Sequence, residues 1–200
     1  MDVTAANFRG MPLAWRSSVG DQHGAFYDPD GLEWLRSFFG GLVATCGITY
    51  AGAMCEDQGK KLGIHGRIGN VPAKRVSFGG YWEGDQYILW CSGVMREGGL
   101  FNDELELQRV ISTKLGANSF TIRDKVVNIG WRTSPLMILY HCNYGFPVVS
   151  DGSEVLTPAA KVTPSDAEAR IGAEDYYKLQ KPTKDYKEKV YYHDVKIGAD

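Results

Sequence analysis

No apolar run in the 200 residues approaches the ~20 needed to cross a bilayer as a helix. Neither sign of charge dominates: 22 Lys and Arg stand against 24 Asp and Glu, for a net charge of −2. The electrostatic footprint of a nucleic-acid or anionic-membrane binder is therefore missing. The amino terminus, MDVTAANFRG, lacks the basic-then-apolar layout of a secretory signal. Cysteine is scarce: Cys46, Cys55, Cys91 and Cys142 form no CxxC pair. Cys46, Cys91 and Cys142 sit in apolar surroundings, where a reduced, buried thiol is the expectation, and a cytoplasmic location follows as the default. Histidine is equally sparse, and His23, His65, His141 and His193 show no HxxxH spacing for a preformed metal site. There is no GxSxG elbow, and the glycines of GIHGRIG match neither a P-loop nor a GxGxxG fingerprint. No metal and no cofactor are expected.

What the chain has is glycine, 24 residues, and aromatics, 12%. Turns and aromatic strands point to a β-rich fold. Leu32–Phe39 has the spacing of a short amphipathic helical turn ending at Gly40-Gly41, and Leu42–Tyr50 reads as a buried strand. A polar loop at Glu56–Lys61 follows. Lys74–Glu97 predicts two strands joined at Gly84-Asp85, and Leu105–Leu115 and Ser119–Ile129 predict two more around Gly116-Ala117-Asn118. Their period-two alternation indicates half-buried antiparallel pairs. After Pro147 the chain becomes turn-rich, with a short helix predicted over Asp166–Leu179 and a last strand over Lys189–Val195. The fold class expected is all-β, an antiparallel β-sandwich, in one domain over residues 1–200.

Two stretches concentrate chemistry. In Met137–Pro147, MILYHCNYGFP, an apolar strand delivers His141 to an aromatic turn. In Leu62–Ala73, LGIHGRIGNVPA, His65, Arg67 and Asn70 lie among glycines. Two imidazoles in one pocket could donate a proton and hold a substrate oxygen, because histidine titrates near working pH. Arg67 supplies a fork of donors, and Asn70 a donor and an acceptor, which suits sugar hydroxyls. Asn143 joins them as a binding candidate. Cys142, beside His141, points to the opposite strand face. On the residues alone, two structural histidines, a surface arginine and a turn asparagine remain the plainer alternative.

The stretches FGGLVATCGI (39–48), LGIHGRIGNVPA (62–73), Leu105 through VVNIG (126–130) and SPLMILYHCNYGFPVVSDGS (134–153) carry a resemblance. The sequence resembles the aldose 1-epimerase, or galactose mutarotase-like, superfamily, in its bacterial aldose-epimerase-like branch. The resemblance implies a β-supersandwich with sugars on a concave sheet face. It also implies a mechanism of carbohydrate metabolism. A histidine protonates the ring oxygen, a carboxylate takes the anomeric proton, the ring opens, and closure gives the other anomer. His141 matches the strand histidine that serves as acid, and His65 the second histidine. The partner implied is a small-molecule sugar; the oligomeric state is left open. Family members are longer, so the resemblance further implies a sandwich incomplete at both ends. No residue in 143–200 aligns with the family's glutamate base, and a carbohydrate-binding fragment without catalysis is the alternative expectation.

Overall fold

In the computed structural model, which describes residues 1–196, strands account for nearly all regular structure. They are β1 (Asn7–Phe8), β2 (Met11–Pro12), β3 (Val43–Ile48), β4 (Cys55–Asp57), β5 (Lys60–Leu62), β6 (Lys74–Glu83), β7 (Gln86–Gly98), β8 (Glu104–Lys114), β9 (Thr121–Asn128), β10 (Met137–Cys142), β11 (Lys161–Pro164) and β12 (Tyr191–Asp194). A single α-helical turn, α1, spans Ala167–Arg170, and the remaining helical segments are short 3-10 turns. Every strand pairing is antiparallel, as the alternation and turn chemistry predict. The chain divides into two compact units, Met1–Gly145 and the residues from Phe146 onward.

The first unit is built on a four-stranded sheet in the order β6-β7-β8-β9. Two-residue reversal at Gly84-Asp85 pairs Glu83 with Gln86 and sets the register of the long hairpin. The second element is a ribbon in which β10 pairs with β3, with Tyr140 opposite Thr45 and His141 opposite Ala44. All six residues of β3 are buried, so its sequence shows a continuous apolar run rather than alternation. Ile48 at its end packs with Ile68, Met95, Leu105 and Leu107 to form the core.

A buried ion cluster joins ribbon and sheet. The Arg109 side chain on β8 is 1% exposed and holds its cross-strand partner Asp124 with two bonds of 2.8 and 2.7 Å. Its third nitrogen donates to Asp2 (2.9 Å), to the Thr45 hydroxyl (2.7 Å) and to the Met1 carbonyl (2.6 Å). Tyr140 on β10 donates to the same Asp124 carboxylate at 2.8 Å. One face of the ribbon is thus tied to the sheet through Thr45 and Tyr140. Residues alternate across a strand, so His141 is turned to the other face.

Three local expectations differ from what forms. Residues 55–62 make a small hairpin, β4 with β5, instead of a polar loop; its exposed strands carry no apolar face to signal pairing. The helix expected over 166–179 is only four residues long. Asp166 caps it by accepting from the Ala169 amide at 2.8 Å, and the left-handed Gly172 then starts a separate 3-10 turn. Of the three cysteines expected in apolar surroundings, Cys46 is buried, Cys91 half-buried and Cys142 exposed. Burial, with Asp2 nearby, pushes the Cys46 thiol up to about 12.

Burial alone pushes the Asp124 carboxyl up, but the Arg109 bonds and the Tyr140 hydroxyl outweigh it and hold the group below its ordinary range. A carboxylate lowered on folding stabilises fully above its unfolded pKa, and the stabilisation disappears as pH falls through the lowered value. Wild-type urea midpoints should therefore drop on acidification below about pH 4. Asp124→Asn should flatten that slope and cost about 3–5 kcal/mol at neutral pH by stranding the Arg109 charge.

Candidate functional site

The untied face of the ribbon meets an aromatic wall. The 3-10 turn Glu33–Arg36 buries Trp34 at 5% exposure, and Trp34 stacks on Phe38 with ring centroids 4.5 Å apart. Phe38 lies 5.4 Å from the His141 ring, and Trp34 lies 4.9 Å from the His65 ring, both edge to face. The two imidazoles, remote in sequence, meet with centroids 5.4 Å apart at 83°. Both are half-buried. The Nδ1 atom of His141 is buried and makes no hydrogen bond among the described residues. Leaving such an atom unsatisfied costs about 1–3 kcal/mol, a local inconsistency of the kind concentrated at functional sites.

Backbone geometry explains how His65 arrives there. His65 has φ of +61° and Gly66 φ of +72°, two successive left-handed residues that turn the chain sharply. A Cβ at Gly66 would collide with the carbonyl oxygens of Gly47 and Tyr50, so only glycine permits this approach to β3. The turn is pinned on both sides: Gly47 donates to the His65 carbonyl at 2.9 Å, and Arg67 donates from its amide to the Gly47 carbonyl at 2.7 Å. Holding His65 in the left-handed region costs on the order of 1–3 kcal/mol.

Arg67 turns to a separate polar group. Tyr50, with Tyr27 and Glu97 adding to its effect, holds the guanidinium protonated more firmly than usual against the opposing effect of burial. Tyr27 donates to the Gly66 carbonyl at 2.9 Å, between His65 and Arg67 in the chain. Burial pushes the Tyr27 hydroxyl up, and the Tyr50 neighbour adds to it. Glu97 on β7 accepts from the Thr49 hydroxyl at 2.6 Å and the Ile48 amide at 3.2 Å. Burial pushes its carboxyl up, and these bonds with the Arg67 charge only partly offset that. Glu97 and the His65 carbonyl thus take successive amides at the end of β3.

Asn70 ends the 3-10 turn Ile68–Asn70 and is half-buried. Asn143 is buried, and its amide nitrogen donates to the carbonyls of Gly41 (2.9 Å) and His141 (3.1 Å). Asn143 therefore holds the strand end that carries His141. Among the described residues, no three His, Cys, Asp or Glu side chains converge as metal ligands, and no helix is long and apolar enough to cross a membrane. Sequence reasoning missed Trp34, Phe38 and Glu97. A Trp-x-x-x-Phe spacing within an otherwise exposed turn was the one available hint for the first two.

This all-β architecture, with its antiparallel pairing and ribbon-on-sheet core, is shown by superposition to be an aldose-epimerase-like fold. A crystal structure of a candidate aldose 1-epimerase from Klebsiella pneumoniae subsp. pneumoniae MGH 78578 superimposes with a TM-score of 0.87 at 26% identity. The match covers 96% of this chain and 50% of that one, so this chain spans about half the length of the similar structure. By sequence, the chain belongs to the family described as Domain of unknown function (DUF4432), whose profile matches residues 1–200. No curated protein matches it.

Replacing Asn143 by Ala strands the Gly41 and His141 carbonyls. Thermal and urea unfolding should show a loss of about 1–3 kcal/mol. An unchanged midpoint would mean that the strand end is held by other bonds.

Proposed function

We propose that this chain carries a sugar-binding site in which His141 serves as the acid in the interconversion of aldose anomers. The observation that supports the reading is the meeting of His65 and His141 against one aromatic wall. The similarity to a candidate aldose 1-epimerase supports an aldose as the substrate class. In this reading His141 passes a proton to the ring oxygen while the bond from that oxygen to the anomeric carbon breaks. A carboxylate takes the proton of the anomeric hydroxyl, whose oxygen becomes the aldehyde. Rotation about the adjoining carbon–carbon bond and closure in reverse give the other anomer, and both protons return. His65 holds a substrate oxygen and helps to fix the sugar ring. Arg67 and Asn70, on the turn that presents His65, supply donors and an acceptor to the hydroxyls. Asn143 acts through His141 by fixing the strand end, rather than through the sugar.

Loss of a positioned general acid removes roughly 10²–10⁴-fold in rate. His141→Ala should therefore abolish catalysed mutarotation of fresh α-D-galactose or α-D-glucose, followed by polarimetry, and leave the unfolding transition cooperative. Wild-type rates in that variant would remove the assignment. Saturable sugar binding by the wild-type chain without faster mutarotation would favour a binding site that does no chemistry.

A further inference from the structure

We propose a second carbohydrate-binding site at the tip of the four-stranded sheet, on different strands from the histidine pair. The Gly84-Asp85 turn and the end of β8 enclose an open hollow of about 360 Å³, lined by Trp82, Asp85, Gln86, Tyr87, Lys114 and Leu115 among others. That volume lies at the lower end of the ~300–1,000 Å³ range of small-ligand sites, and suits one or two sugar rings.

The walls carry the chemistry of sugar recognition. Trp82 is 69% exposed, although an indole is among the most favourable side chains to bury. It pairs directly across the hairpin with Tyr87, whose ring stands edge-on to it with centroids 5.2 Å apart. Tyr87 is seated over Gly80, where a Cβ would strike its ring. The indole is thus braced from one side and open on the other. The flat carbon–hydrogen face of a pyranose stacks on such a surface, and its hydroxyls then need donors and acceptors around the rim.

Asp85 accepts, Lys114 donates and Gln86 does both. None of the three side chains makes a hydrogen bond or ion pair among the described residues, although all line the hollow. One carboxylate and one ammonium leave the rim without net charge. A neutral polyhydroxylated ligand fits that balance better than a phosphate or a cation.

Methyl α-D-glucopyranoside and methyl β-D-galactopyranoside are suitable probes, because a methyl glycoside cannot open its ring and reports binding without turnover. Saturation-transfer difference NMR should show transfer to the ring protons with the wild-type chain and with His141→Ala. In a His65→Ala/His141→Ala background, which removes the imidazoles of the first pocket, transfer should persist, be lost on adding Trp82→Ala and be retained on adding Trp82→Phe. Asp85→Ala with Lys114→Ala, which leaves the aromatic pair in place, should weaken it as well. Transfer unchanged on adding Trp82→Ala to that background, or absent in the wild type, would overturn the proposal. Transfer lost in His65→Ala/His141→Ala but kept in Trp82→Ala would assign all binding to the histidine pocket, and would overturn this site while supporting the anomer-interconverting one.

Discussion

The guanidinium of Arg109, closed off from water between Asp124 and Asp2, is the constraint on which the first unit depends. A cation in that position is tolerable only when its nitrogens are bonded, and the structure supplies two carboxylates, a hydroxyl and a carbonyl. Such a cluster adds little net stability compared with a hydrocarbon core of equal volume, but a displaced partner is heavily penalised. We read its effect as one of register. A slip of one residue in β10 would turn Tyr140 away from Asp124 and carry His141 to the sheet side. The same bond that satisfies Asp124 therefore decides which way the imidazole faces.

The second constraint is the left-handed turn at His65 and Gly66. It brings a loop histidine to the same aromatic wall as a strand histidine, and its carbonyl is tied to the end of β3. The site thus rests on one backbone, β3, whose Thr45 amide donates to Asp2 of the ion cluster and whose Gly47 amide donates to the His65 carbonyl. Glu97 reinforces the junction by accepting from the next amide along.

The strands were legible because their signals are local. β9 alternates between exposed and half-buried residues and Gly84 and Gly116 mark reversals, whereas β6 is exposed at nearly every residue rather than half-buried. The β4–β5 hairpin was not, since Cys-Glu-Asp and Lys-Lys-Leu present no buried face. His65 and His141 could be singled out and paired from their apolar and glycine surroundings, and the family resemblance strengthened that pairing against two structural histidines. Their aromatic wall could not, because the helical spacing of Leu32–Phe39 says nothing of which distant residues Trp34 and Phe38 meet. Glu97 is invisible for a related reason: its environment is created by Thr49, Ile48 and Arg67, which tertiary packing alone brings to it. Arg67 was singled out beside His65, but the company it keeps with Tyr50, Tyr27 and Glu97 has no local signature in the sequence. Asn143 was expected to grip a ligand, and instead binds the backbone that displays His141.

The central claim is that the two rings form one sugar site. Long-range nitrogen–proton NMR of the imidazoles, recorded during titration with D-galactose, tests it directly. The resonances of His65 and His141 should move together along a single saturation curve, while those of His23 and His193 stay in place. Movement of only one of the pair, or of neither while sugar binds elsewhere, would contradict it.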